Sequence, residues 1–186
     1  MRTMSEFITR PGFLIKSKFE KHKEMKGVLL QLIDKIPKES VYEVDNSDWN
    51  LPVDYKREYL DIFYELVRPT MDEIAKMLFC KKWIITNGWF QQYTSGYHKW
   101  HNHAGVHFSS VYYLELPNSK FQTKFLNPMS KKLHGDIIIE EGDIIATPAF
   151  IPHTSIVQPT KERKTVIVFN SVFDDVDDRK IQELFN

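Results

Sequence analysis

Residues 96–117 read GYHKWHNHAGVHFSSVYYLELP. The second half, 107–116, is dense in Val, Tyr and Phe and ends at Pro117, which predicts a β-strand. The first half holds His98, His101, His103 and His107, four of the seven histidines in the chain, within ten residues. On extended backbone, residues two apart point to the same side, so His101 and His103 project together. Two imidazoles so placed can chelate one ion at about 2.0 to 2.1 Å each. A histidine-bearing strand next to a strongly apolar one points to a β-structure built to hold a metal.

Working outward, similar segments recur at 82–86, 89–94, 107–116, 121–126, 134–139, 143–147, 153–158 and 163–170, with turn residues between them. So many short strands in succession predict an antiparallel sandwich or barrel, of which the jelly roll is the eight-stranded form. Upstream the texture is helical. Residues 11–17 suit a short strand, and Ser17-x-x-Glu20 resembles a capping box opening a helix whose face is Met25, Leu29, Leu32 and Ile36. Residues 37–53 mix Pro, Asn, Asp and Ser and read as a loop. Leu60, Phe63, Val67, Met71, Ile74 and Leu78 form a second stripe. Pro69 followed by Thr70-x-x-Glu73 predicts a kink there, or two consecutive helices. Helices first and strands afterwards give the α+β class, with helices packed on one sheet. The expected organisation is a single domain: a helical extension over 1–80, a strand-rich core over 81–172 and a C-terminal helix over 173–186.

Charge narrows the choice of partner. The 186 residues carry 25 Lys plus Arg against 25 Asp plus Glu, and this balance argues against a surface built for nucleic acid or anionic lipid. Cys80 is the one cysteine, which rules out an intramolecular disulfide and a thiolate metal cluster within the chain. No apolar run approaches the roughly 18 residues of a membrane span, and the first residues lack a signal peptide's apolar stretch. A soluble, cytoplasmic protein is the expectation. Oligomeric state is not set by any of these features.

A metal site needs a third ligand from a distant segment. His153 follows a Gly turn, a short stretch of strand and a Pro-bounded corner, GDIIATPAFIP, and is the natural choice. His134, beside Gly135 and Asp136 in a predicted turn, reads as a surface residue.

Four patterns carry a family resemblance: W-F-x-x-Y-x-x-G-x-H-x-W-H-x-H from Trp89, S-x-V-Y-Y-L-x-x-P from Ser109, G-D-x-x-x-x-P-x-x-x-P-H from Gly142 and E-R-x-x-x-x-x-F-N from Glu162. Over roughly residues 83–170 the chain resembles the 2-oxoglutarate/Fe(II)-dependent oxygenases of phage and marine bacteria and, more distantly, prolyl 4-hydroxylases. The resemblance implies a double-stranded β-helix, a form of jelly roll, with Fe(II) and 2-oxoglutarate as cofactors. It implies iron held at the positions of His101, His103 and His153, with histidine at His103 where the family carries a carboxylate. Asp136 and Asp143 are the nearest downstream carboxylates. It also implies an arginine for the far carboxylate of 2-oxoglutarate. Arg163 stands ten residues after His153, and Thr165 would share its strand face, so fork and hydroxyl can grip one carboxylate. Tyr93 occupies the place of a tyrosine that hydrogen-bonds the same group. Tyr113, Gln91 and Asn170 are further pocket positions, with core packing as their other reading. For His98 and His107, orienting a ligand or touching substrate competes with simple packing. The activity implied is hydroxylation of a small molecule or a protein side chain, with release of succinate and carbon dioxide.

Two other readings fit the same strands. A cupin would use Gly96, His101, His103 and His107 in one motif and Gly142, Pro148 and His153 in the other, with Phe150 in place of a glycine and no 2-oxoglutarate. A non-catalytic jelly-roll module would bind a glycan or protein. The pair Arg163 and Thr165 separates these from the oxygenase, because neither needs it.

Overall fold

The structure, a computed structural model, describes residues 14–133, 137–157 and 162–185; His134, Asp136 and the start of the expected 134–139 strand lie outside them. Strand β1 (Ile15–Lys18) leads into helix α1 (His22–Ile33). A hairpin of β2 (Glu39–Val41) and β3 (Val44–Ser47) precedes the long helix α2 (Glu58–Met77). Then come β4 (Cys80–Tyr93), β5 (His98–His101), β6 (Phe108–Glu115), β7 (Lys124–Asn127), β8 (Lys132–Leu133), β9 (Asp143–Pro148), β10 (His153–Ser155) and β11 (Lys164–Val176), closed by α3 (Asp178–Gln182). A seven-stranded antiparallel sheet runs β1-β9-β6-β11-β4-β3-β2, and a four-stranded one runs β5-β10-β7-β8. This is the jelly-roll architecture.

Alternation along the central strands builds two cores from one sheet. Phe90, Tyr112, Ile144, Ile167 and Phe169 pack with Leu29, Ile33, Phe63, Val67 and Met71 of α1 and α2. On the opposite face Trp89, Tyr93, Val111, Tyr113, Ile145, Val166 and Val168 pack with Phe125 of the smaller sheet. Both faces of the central part of the large sheet are therefore buried, while the Cys80–Asn87 half of β4 is partly exposed. The apolar stripe on α2 explains its docking, since Phe63, Val67, Met71 and Ile74 lie on one side of it.

Several local expectations differ from the structure. Helix α2 runs through Pro69 without a second cap. Pro69 and Glu65 are both exposed, so the carbonyl that loses its partner faces water and the usual cost of an interior proline is softened. Ser17 is buried in β1 and does not cap α1, whose first residue follows Lys21 with no side-chain cap. The 37–53 segment contains the β2–β3 hairpin. The expected strands 82–86 and 89–94 are one strand, and residues 137–140 are not a strand.

Candidate metal centre

Three elements bring three imidazoles together. His101 ends β5 and pairs across the small sheet with His153 of β10. His103, just past β5, is fixed by its N–H donating to the Ala149 carbonyl at 2.9 Å. One nitrogen from each of His101, His103 and His153 lies within 4.8 Å of the others, and the Nε2 atoms of His103 and His153 are 3.3 Å apart. Ligands about 2.1 Å from a common ion would stand at such a separation.

Hydrogen bonds prepare the ligand atoms. The Nδ1 of His101 is 2.8 Å from the Lys99 carbonyl, and the Nδ1 of His153 is 3.0 Å from the Ile151 carbonyl. A carbonyl only accepts, so each Nδ1 carries the proton and each Nε2 keeps its lone pair for a metal. Burial, reinforced by the neighbouring imidazoles, holds His103 down to about 4 and His153 to about 3. Burial also lowers His101. All three are neutral near pH 7. No carboxylate joins them among the described residues. Asp143 is committed to Lys16 and Lys18 at 3.1 and 2.6 Å. The donor set fits a divalent transition ion with open positions, and imidazole suits iron as it suits zinc, copper or nickel.

Behind the triad lies a narrow cavity of about 20 Å³, lined by His101, His153, Trp89, Gln91, Tyr93 and Lys164 among others. That is room for roughly one water. Lys164 is 1% exposed. Its Nζ donates to Ser155 Oγ at 2.7 Å and to the Phe121 carbonyl at 2.9 Å, and it lies 4.7 Å from the Tyr93 ring centre. No carboxylate pairs with it among the described residues. Burial lowers its ammonium to about 7. An ammonium buried among neutral partners is costly, and an anion placed beside it would offset that cost.

Strand parity explains why Lys164, and not Arg163, reaches this cavity. Lys164, Val166 and Val168 stand opposite Tyr93, Gln91 and Trp89 of β4, all on the inner face. Arg163 and Thr165 belong to the other face, with Ile167 and Phe169. There they do grip one carboxylate, that of Glu115. Arg163 Nε donates to Oε2 at 2.8 Å and Nη2 to Oε1 at 3.2 Å, and the Thr165 hydroxyl donates to Oε2 at 2.5 Å. The register between β6 and β11 shifts at Thr165/Val166, which sets Glu115 opposite Thr165 and away from Tyr113's side. Arg163 also donates to Asp34 at the end of α1, at 2.9 Å. The expected co-substrate roles of Arg163 and Thr165 are thus corrected: both are occupied in tying helix to sheet.

The remaining expected residues divide. Tyr93 lies in the cavity and donates to Gln91 Oε1 at 2.7 Å, while Gln91 Nε2 stands 3.3 Å from His98 Nδ1. His98 stacks on His101 with ring centres 3.9 Å apart, and burial holds it down to about 4. Asn170 sits opposite Ser109, whose hydroxyl is 3.3 Å from His103 Nε2. Tyr113 is outside the cavity lining; its hydroxyl accepts from the Thr123 N–H at 3.1 Å. His107 is exposed, and its Nδ1 accepts from the Phe173 N–H at 3.1 Å, so the four-histidine cupin site does not form. Sequence reasoning missed Lys164 and Ser155. It also missed an outer cleft of about 650 Å³ before the triad, walled by Val41, Tyr42, Trp49 and Trp89.

No protein-family model matches the chain, and no curated protein matches it in sequence. Its fold does have solved counterparts. An oxidoreductase of the 2OG-Fe(II) oxygenase family from Burkholderia pseudomallei superposes with TM-score 0.65 at 12% identity, over 86% of this chain and 84% of that one. The viral collagen prolyl hydroxylase of Paramecium Bursaria Chlorella virus-1, solved as a 2OG complex, gives 0.56 at 15% identity, over 86% and 95%. A Pseudomonas putida prolyl-4-hydroxylase gives 0.56 at 13%, over 87% and 93%. The chain therefore has the jelly-roll fold of the 2OG-Fe(II) oxygenases, and the resemblance carried by its four motifs holds at the level of fold.

Proposed function

We infer that the protein is an Fe(II)- and 2-oxoglutarate-dependent oxygenase with a three-histidine metal centre, acting as a hydroxylase on a small molecule or a protein side chain. One observation carries this reading: two imidazoles of the triad, His101 and His153, line the same cavity as the buried, carboxylate-free Lys164. A 2-oxo acid that chelates a metal at one end and ends in a second carboxylate matches those two anchors.

His101, His103 and His153 would hold the iron. Lys164, with the Ser155 hydroxyl beside it, would take the far carboxylate of 2-oxoglutarate as a charged hydrogen bond in a dry setting. Tyr93 closes that end of the cavity, and Trp89, Val166 and Val168 exclude water from it. Gln91 bridges Tyr93 and His98 across the narrow cavity, so it must swing aside to admit a five-carbon dicarboxylate. Bound there, the two cofactors would supply an oxidation in which one oxygen atom of O2 goes to the oxo acid, giving succinate and carbon dioxide, and the other goes to the substrate. No general acid or base is assigned.

Anaerobic titration of the Fe(II) protein with 2-oxoglutarate tests the reading. A visible charge-transfer band that saturates with added co-substrate is expected. Metal binding without a band would return the chain to a cupin-like metalloprotein.

A further inference from the structure

We propose that Tyr42 selects the substrate of this site, and that the substrate presents a flat ring carrying a negative charge. The proposal rests on the oxygenase reading and deepens it.

Tyr42 and Glu43 form the two-residue turn between β2 and β3, and both have left-handed backbone, φ 49° and 65°. Asn-Gly is the favoured pair in such a turn. Neither Tyr nor Glu gains anything there from its backbone, and strain of this kind clusters at ligand clamps. The tip is also fastened in place. Asp45 Oδ2 accepts N–H groups from Thr94, Ser95 and Gly96 at 2.6, 2.9 and 2.8 Å, and the Tyr97 N–H donates to the Glu43 carbonyl at 3.0 Å. The hairpin is thereby held over the segment that leads into β5.

Tyr42 is nevertheless 68% exposed. Its ring lies nearly parallel to that of His98, at 11° and 6.2 Å, and His98 in turn stacks on the ligand His101. A largely exposed aromatic ring therefore lines the cleft in front of the triad, together with the apolar side chains of Trp49 and Trp89. A flat ring is the group that such a face holds well.

Charge sets the sign. Glu43 is the one carboxylate lining the cleft among the described residues, and Lys99 neutralises it. Three neutral ligands leave a divalent ion its full charge. With Lys164 added, the two carboxylates of 2-oxoglutarate leave a net positive charge. An anionic substrate cancels it, and a cationic one is repelled.

The test uses the Zn(II)-loaded protein saturated with 2-oxoglutarate, titrated by ligand-observed NMR with phenylacetate, phenylacetamide and phenethylamine. Phenylacetate should bind tightest, at least fivefold tighter than phenethylamine, with the amide between. Tyr42→Phe should keep this affinity. Tyr42→Asn keeps a residue that tolerates left-handed backbone but removes the ring, and should lose at least fivefold. Equal affinity for the acid and either comparison compound, no binding of the acid, or full affinity in Tyr42→Asn would overturn the proposal. The charge-transfer band of the Fe(II) form separates the two levels. A band with failed discrimination removes this proposal alone, and no band removes the oxygenase reading and this with it.

Discussion

The Arg163 guanidinium clasps the Glu115 carboxylate with two N–H groups, Nε to Oε2 at 2.8 Å and Nη2 to Oε1 at 3.2 Å. This clasp lies on the helix-facing side of β11, with its back to the cavity that Lys164 enters. Arg163→Met should leave the part-buried Glu115 without its charged partner and cost about 1–3 kcal/mol of stability. Denaturant unfolding measures this. Metal content should be unchanged, and a variant as stable as the parent would remove the structural role.

Ligand assignment predicts a split among the histidines. His101→Ala and His153→Ala should lose stoichiometric metal after dialysis against free ion, because each removes one of three donors. His107→Ala should retain it, since its ring only accepts from the Phe173 backbone. Metal analysis of the three variants decides the matter, and loss in His107→Ala would bring that residue back into the site.

The metal-free protein should lose stability as pH falls from about 6.5 toward 4. In the folded state burial, with the neighbouring imidazoles, holds His98 and His103 to about 4 and His153 to about 3, against about 6.5 in an unfolded chain. Between those values the unfolded chain binds protons that the folded one refuses, so the stabilisation is complete above 6.5 and is lost on acidification. Thermal unfolding across this range should show the slope, flattened in His153→Gln. A flat profile for the parent would contradict the buried, neutral triad.

Gly96 tests the fastening of the hairpin. A Cβ there would lie 2.4 Å from the Glu43 carbonyl and 3.0 Å from both the backbone N and the Cγ of Asp45. Backbone cannot yield as a flexible side chain would, so Gly96→Ala should cost about 1–3 kcal/mol and detach the hairpin from the 94–97 segment. Unfolding measurements, with proteolysis at 42–43 as the local readout, check it; an unperturbed variant would mean the contact is slack.

The strand-rich second half and its antiparallel class were legible because turn residues punctuate alternating apolar runs. The triad was legible because an i, i+2 histidine pair on extended backbone has one geometric meaning. Parity was not. In Arg163-Lys164-Thr165-Val166-Ile167-Val168 both faces of the strand are buried, so alternation does not say which side faces the helices. Spacing from His153 favoured Arg163, and only the pairing of Lys164 with Tyr93 across β4 resolves it. The β2–β3 hairpin was hidden for a related reason: its turn is Tyr42-Glu43, without the Gly or Asn that signals one.

In the proposed function Lys164, which lines the cavity behind the triad, anchors the far end of 2-oxoglutarate. The most direct test of this role is the dissociation constant of 2-oxoglutarate from the anaerobic Fe(II) protein, read from the charge-transfer band in Lys164→Met and Arg163→Met. Both variants should be shown folded and iron-loaded first. At least a tenfold weakening in Lys164→Met, with Arg163→Met close to the parent, is the predicted result. Parental affinity in Lys164→Met, or a loss confined to Arg163→Met, would contradict it.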